Sequence, residues 1–444
     1  MPSKTFVPRK DNWESVCCGA AGLWLALALI KFGNPVILDE KIPPPSSWEE
    51  FLLYPWPVAW GYGLLVGVGL LGLRFWRWRI AVPRWLLALP LVWLSWLGLS
   101  ALQTVQWALT VATLKHFVAC AMAFYLGAFA LSQLTTLRSF WIGLLGGFLV
   151  VALVGWKQHF GGLEETRRQF FSLPDWKSYP AEFVEKVASN RIYSTLFYPN
   201  ALAGVVVLLL PISISILWET GRIWPMPVKL IGAGTFAFLG LGCLYWSGSK
   251  AGWLLGLGQS VMVFLHSRLK RNVKVLVIVL ALLGGSCGFL LKHRGYFERG
   301  ATSVSARFDY WKAAWQTLQS KPLLGSGPGT FMVSYKSLKL PEAEMSRLAH
   351  NDFLQQGCDS GWVGLLAYLG WILGSLGLLY RRSVRSVGQE TFGIWLGLCG
   401  VSLQGLVEFG LYIPALSWTT FLLFGMSLAR WPPRNQIDKR QPDF

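Results

Sequence analysis

Apolar runs of 17 to 25 residues, each bounded by polar or basic clusters, recur along the whole 444-residue chain. Runs of that length match the helix needed to cross a hydrocarbon layer of ~30 Å. They place spans at 16–37, 57–73, 85–104, 108–131, 140–158, 200–218, 229–247, 250–266, 273–291, 361–380, 391–408 and 412–430. The pattern predicts an all-α polytopic membrane protein of about twelve transmembrane helices. Helices one to five occupy 1–158, a first large loop 159–199, helices six to nine 200–291, a second large loop 292–360, and the last three helices with a tail 361–444. The first run is too long for a signal-peptide core, lacks a small-x-small cleavage site and carries Lys31, so it is expected to remain as a span.

Composition agrees. Hydrophobic residues make up 53% of the chain and charged residues 14%, with a mean hydropathy of +0.44. A soluble domain keeps about a quarter of its residues charged. The net charge of +18 would suit nucleic acid if it were spread over one face, but it is not. Lys4, Arg9 and Lys10 precede the first span, and Arg74, Arg77, Arg79 and Arg84 follow the second. Arg138, Arg222, Lys229, Arg268, Lys270, Arg271, Lys274, Arg381, Arg382, Arg385, Arg430, Arg434, Lys439 and Arg440 likewise fall in alternate connections, on the side of both termini. The positive-inside bias makes that side cytoplasmic. The first connection on the other side is acidic (Asp39, Glu40, Glu49, Glu50), in keeping with this assignment. No nucleic-acid partner is expected.

Six of the seven cysteines lie in apolar runs, where Cys acts as a small hydrophobe, and only Cys358 approaches the outer face. No disulfide framework or metal-ligand spacing follows. Lys31 and Lys115 lie near enough to span ends to snorkel.

Two long outer connections break the pattern of short links, and long loops in compact proteins are commonly functional. In the second, Phe308, Trp311, Trp315 and Leu318 recur at helical spacing and predict an amphipathic helix with an aromatic stripe at the membrane interface. Pro322, Gly325, Gly327, Pro328 and Gly329 end it in a turn, and Pro341 suits the first position of a short helix. His350 then stands just before Asn351, a plausible N-cap. A helix N-terminus disfavours a protonated imidazole, so His350 should be neutral and able to accept a proton. A histidine that only hydrogen-bonds at the turn is the plainer alternative. Arg191, near the end of the first loop, and Arg307 are candidate phosphate ligands, because guanidinium binds phosphate in bidentate fashion. A solvated or headgroup-binding arginine is again the plainer reading. Asn200 caps the sixth span. Lys250, at the turn between spans seven and eight, and Glu408, at the end of span eleven, are ionisable residues at membrane depth, either paired structurally or part of a site.

These motifs resemble the O-antigen ligase / O-antigen polymerase (Wzy-C type) superfamily over roughly 185–430. The pieces are 191–203, Ser249-Lys250-Ala251-Gly252, Arg307 through Trp311, Pro322 through Phe331, His350-Asn351-Asp352-Phe353-Leu354-Gln355 with Asp359-Ser360-Gly361, and Glu408-Phe409-Gly410-Leu411 with Pro414. Three positions depart from the family pattern: Lys250 replaces an arginine, Asp359 a glutamate and Glu408 an aspartate.

The resemblance implies a GT-C-like bundle in a bacterial inner membrane, with both termini cytoplasmic and two large periplasmic loops. It implies glycan transfer from undecaprenyl diphosphate to lipid A core or to another glycan. His350 would be the base, Arg191, Arg307 and Lys250 the donor ligands, and Asn351, Asp359, Glu408 and Asn200 supporting groups. No cofactor is expected, and no metal, because the outer loops lack Asp-x-Asp and the carboxylates of Glu342-Ala343-Glu344 would not share a helix face. Polymerase and protein O-glycosyltransferase remain alternatives within the superfamily. A lipid-linked glycan transporter is the alternative of another class, although no internal repeat supports it.

Overall fold

The computed structural model describes residues 12–178, 181–220, 224–267, 269–298, 302–341, 343–385 and 389–430. Lys4, Arg9, Lys10, Arg222, Arg268, Glu342, Arg434, Lys439 and Arg440 lie outside the described residues, which are all-helical and contain no strand. Each apolar run becomes a helix: α1 Asn12–Lys31, α3 Val58–Gly72, α4 Arg84–Ala101, α5 Trp107–Phe129, α6 Arg138–Lys157, α9 Pro199–Thr220, α10 Met226–Ser247, α11 Lys250–His266, α12 Arg271–Glu298, α15 Asp352–Arg385, α16 Gln389–Gln404 and α17 Pro414–Ala429. Among the described residues, nine stretches are long and apolar enough to cross a membrane. The helices α11, α16 and α17, of 16 or 17 residues, are shorter.

The connections hold α2 Trp48–Leu53, α7 Leu163–Phe171, α8 Ala181–Ala188, α13 Thr302–Ser320 and α14 Phe331–Leu338. Two expectations need correction here. The helix near Pro341 is absent: α14 ends before it, and the described part of 339–350 contains no helix. Lys31 does not snorkel. It is buried, and its Nζ donates to the carbonyls of Phe51, Leu52 and Tyr54 at 3.0, 2.6 and 3.1 Å, closing the C-terminus of α2. A cation satisfying the last carbonyls of a short helix is the expected complement to its dipole.

The helices meet through small residues. A Cβ on Gly143 of α6 would lie 2.5 Å from the backbone of Gly22 in α1, and one on Gly147 would lie 2.6 Å from Ala26. Gly22/Ala26 and Gly143/Gly147 are thus facing small-xxx-small pairs, which let two backbones touch where lipid supplies no hydrophobic drive. The helices α5 and α17 approach in the same way through Gly127 and Gly425. The indoles of Trp24 and Trp418 stack at 5.4 Å between α1 and α17.

One break in α15 positions the site. Gly361 has φ +69° and divides the helix into a short leading segment and the long apolar one. The turn 322–329 packs into this break, with Trp362 N donating to Pro322 O at 2.8 Å and Ser326 N to Cys358 O at 2.8 Å. The facing ends of α4 and α5 clamp the turn from the other side. Trp96 Nε1 donates to Leu323 O at 2.9 Å, Ser100 Oγ to Leu324 O, and Thr110 Oγ1 to Pro328 O at 3.0 Å.

A Cβ on Gly361 would fall 2.3 Å from Leu323 O in a left-handed backbone. Gly361→Ala should therefore lower the melting temperature of the purified protein in detergent, a strain of about 1–3 kcal/mol before the clash is counted. Gly63→Ala, in helix α3 with open space around its Cβ, should be neutral or mildly stabilising. Equal melting of both variants would contradict this account of the break.

Candidate functional site

Three connections at the same end of the bundle converge on Glu408. Its side chain is 8% exposed, and it lies in the segment 405–413 between α16 and α17, four residues beyond the end of α16 rather than at a helix end. Oε1 accepts from Arg307 Nη2 at 2.5 Å and from Asn200 Nδ2 at 2.6 Å. Oε2 lies 3.4 Å from His350 Nδ1, a long contact, and this buried nitrogen has no other partner among the described residues. Asn200 is the link to the second arginine, since its Oδ1 accepts from Arg191 Nη2 at 2.7 Å. The structure thus brings Arg191, Asn200, Arg307, His350 and Glu408 into one connected network.

Each arginine is also fixed by backbone. Arg191 Nε donates to Ser247 O at 2.7 Å. Arg307 Nε donates to Val407 O at 3.0 Å and its Nη1 to Ser303 O at 3.1 Å. A guanidinium has five N–H donors, so Arg307 keeps two beyond these bonds. Lys250, the first residue of α11 after the Ser249 N-cap, lies within electrostatic range of Arg191, Arg307 and Glu408. Burial alone would raise the Glu408 carboxyl, but His350 and the Arg307 guanidinium hold it below the ordinary carboxylate range. Burial lowers Arg191 from the usual guanidinium value while Glu408 opposes the shift, and a guanidinium stays charged throughout.

His350 has φ +49°, and the other non-glycine residues with positive φ among those described are Ser194 and Phe197, on either side of the chain between Arg191 and Asn200. Backbone strain of this kind costs about 1–3 kcal/mol per residue and persists only where the surroundings enforce it. Around His350 those surroundings are visible. Asn351 caps the helix through Oδ1, which accepts from Phe353 N and Leu354 N at 3.0 Å each, so the expected cap is present. Trp311 Nε1 donates to His350 O at 3.3 Å. The imidazole stacks on Tyr310 at 5.7 Å and meets the Phe409 ring edge-on at 4.7 Å.

Asp359 does not enter the network. It is fully buried one layer beneath, accepting from Gly329 N at 2.9 Å, Tyr412 Oη at 2.5 Å and Gln355 Nε2 at 2.9 Å. Gln355 Oε1 in turn accepts from Ala349 N at 2.8 Å, so Asp359 acts on the His350 segment through Gln355. The helix α13 exists as the spacing predicts, and burial varies along its stripe. Leu318 is buried with Tyr310, Ala313 and Ala314, whereas Phe308 is 60% and Trp315 42% exposed.

Several contributors escape a reading of the sequence. Gln158 sits in a π-helical segment, Gln158–Gly162, and its Oε1 accepts from Tyr193 N and Ser194 N at 3.0 and 2.7 Å while its Nε2 donates to Ser194 O at 3.1 Å. It holds the strained backbone beside Arg191. Asp352 Oδ2 accepts from Leu411 N at 3.0 Å, and Asp352 N donates to Gly405 O at 2.7 Å, anchoring the segment that carries Glu408. A bulge and a carboxylate aimed at backbone leave no spacing signal, although the His159-Phe160-Gly161-Gly162 break after an apolar run marks the place.

Among the described residues no three His, Cys, Asp or Glu side chains gather as a metal-ligand set. Residues 234–369 match the family model described as O-Antigen ligase (Wzy_C). No curated protein matches the chain. Over that segment, less than half of its length, the chain is similar to the O-antigen ligase family. The matched segment contains Lys250, Arg307, His350, Asn351 and Asp359, while Arg191, Asn200 and Glu408, which join Arg307 and His350 in the network, lie outside it.

The depressed Glu408 carboxyl has a consequence for pH. A group whose folded value lies below its unfolded value stabilises the protein above the unfolded value, and that contribution is lost as pH falls through the folded one. Glu408→Gln should thus melt below wild type at neutral pH, and the gap should close on acidification below the ordinary carboxylate range. A gap that stays constant with pH would show that Glu408 is not held as a carboxylate.

Proposed function

We propose that this O-antigen ligase-like membrane protein is an inverting, metal-independent glycosyltransferase. It moves a glycan from undecaprenyl diphosphate to a hydroxyl, with lipid A core as the acceptor, at the periplasmic face of a bacterial inner membrane. The observation that carries the reading is the single network joining His350 to Arg307, Arg191 and Glu408. It sets a proton acceptor beside fixed cations at one end of the bundle.

The chemistry needs just those groups. The acceptor oxygen attacks the anomeric carbon, the carbon–oxygen bond to the diphosphate breaks, and the configuration inverts. The hydroxyl proton passes to His350. With Nδ1 turned to Glu408, the Nε2 atom is the one left to accept it, and Glu408 stabilises the imidazolium that results. The leaving diphosphate takes the electron pair and needs cations already in place. Preorganised charges of this sort contribute several kcal/mol in a dry site, and Arg191, Arg307 and Lys250 would supply them. Lys250 offers a point charge where a guanidinium would offer a fork. Asn200 keeps Arg191 and Glu408 in register.

The topology belongs to the same reading. The basic residues Arg84, Arg138, Arg382 and Arg430 lie at the helix ends opposite to Arg191, Arg307 and His350, as the positive-inside bias requires if the network faces outward. Twelve spans with both termini cytoplasmic, and large outer loops at 159–199 and 292–360, follow from it.

The test is reconstitution of the full protein with undecaprenyl-diphosphate glycan and lipid A core in EDTA. Wild type should transfer glycan. His350→Ala should transfer it ~10²–10⁴-fold more slowly, the usual contribution of a general base, while folding and donor binding persist. Polymerised donor without labelled acceptor would assign the polymerase instead. Loss of activity in EDTA that added metal restores would overturn the metal-independent mechanism. Glycolipid crossing the bilayer with no transfer would leave the transporter.

A further inference from the structure

The end of the bundle opposite His350 carries a second organised surface. The pair α4 and α15 runs antiparallel through the protein. At one end Ser100 and Trp96 hold the 322–329 turn, and at the other Arg382 Nη2 donates to Ala81 O at 2.5 Å while its Nη1 reaches Leu428 O. Arg77 N donates to Phe129 O at 2.9 Å, tying the α3–α4 connection to α5 as well. This short connection is therefore pinned on both sides rather than loose.

What it displays is arginine and tryptophan. Arg77, Arg79, Arg84 and Arg381 are all exposed. Trp78 is 76% and Trp85 56% exposed, and the Trp78 ring is held against Trp76 at 5.5 Å and Phe129 at 5.4 Å. Trp85 also packs against α15, since a Cβ on Gly374 would lie 2.7 Å from its ring. Residues 51–163 and 360–389, which build the whole surface, contain no Asp or Glu. Two described carboxylates near this end of the bundle engage other groups. Glu14 accepts from Thr135 Oγ1 at 2.7 Å, and Glu390 acts on Arg430.

We propose that this surface is a binding site for the phosphodiester headgroup of an anionic phospholipid in the adjoining leaflet. Guanidinium groups match phosphate oxygens in bidentate fashion. Indoles prefer the headgroup level of a bilayer. Clusters of basic side chains beside a transmembrane helix recruit anionic lipid. A positive-inside bias alone would ask only for charges on that side. Here the charges are carried on and beside a backbone-pinned connection, next to two exposed indoles, with no acid in their own segments to neutralise them.

The experiment uses the full-length protein in detergent. Thermal protection and native-mass-spectrometry adducts are compared for phosphatidylglycerol and phosphatidylcholine, with inorganic phosphate as a third arm. Phosphatidylglycerol should protect and remain bound, in a salt-sensitive manner, and the other two should not. Replacing Arg77, Arg79 and Arg84 together by Gln should weaken phosphatidylglycerol binding on the order of a hundredfold, at roughly fivefold per arginine. The corresponding Lys variant keeps the charge but not the fork, so it should bind between wild type and the Gln variant and controls for folding. Equal protection by phosphatidylcholine, or a Gln variant that binds like wild type, would overturn the proposal. Equal protection by inorganic phosphate would show a free-anion site instead of a lipid site.

Discussion

A carboxylate withdrawn from water must be matched by cations and donors, or it will not remain ionised. Glu408 is in that position, and the match is supplied by segments far apart in sequence. Asn200 begins α9, Arg307 lies in α13, and His350 precedes α15. The Arg307 side chain is fixed in turn by backbone carbonyls, and the backbone at His350 is held by Trp311 and by the Asn351 cap. Removing the central charge would leave two half-buried guanidiniums without the carboxylate they share, so the network holds together only as a whole. Shape in this part of the protein follows from electrostatics before it follows from packing.

The backbone around the network is strained to suit. Ser194, Phe197 and His350 adopt left-handed conformations without being glycine. Such conformations are kept only by their surroundings, which here are the Gln158 clamp, the Asn351 cap and the aromatic rings of Tyr310 and Phe409. Beneath them the turn 322–329 is locked between α15 and the facing ends of α4 and α5. The first 150 residues, which bear no chemical motif, therefore serve the site by holding that turn. Preorganisation of this kind lets fixed charges act without rearranging during a reaction.

The helix packing separates two tasks along one axis. Small residues at Gly22, Gly127, Gly143 and Gly425 bring α1, α6, α5 and α17 into backbone contact and make a rigid centre. By contrast α12 is exposed along most of its length and packs chiefly on α11. The chemistry-bearing end and the arginine-rich end are linked by α4 and α15, whose opposite ends reach both surfaces.

How much of this was legible in the chain follows from the range of each interaction. The apolar runs specify the helices, because a segment of ~20 apolar residues has one low-energy form in lipid and satisfies its backbone bonds within itself. The cap at Asn351, the helix α13 and the grouping of His350 with Arg191 and Arg307 as candidates were also readable, the last through motif order. Tertiary structure alone decided that Asn200 and Glu408 bridge the two arginines and that Asp359 works one layer beneath through Gln355. It alone decided that Lys31 closes a helix instead of reaching for water and that Gln158 holds a strained turn. Those outcomes depend on contacts between residues tens to hundreds of positions apart, where direction and distance matter and spacing along the chain carries no record of either.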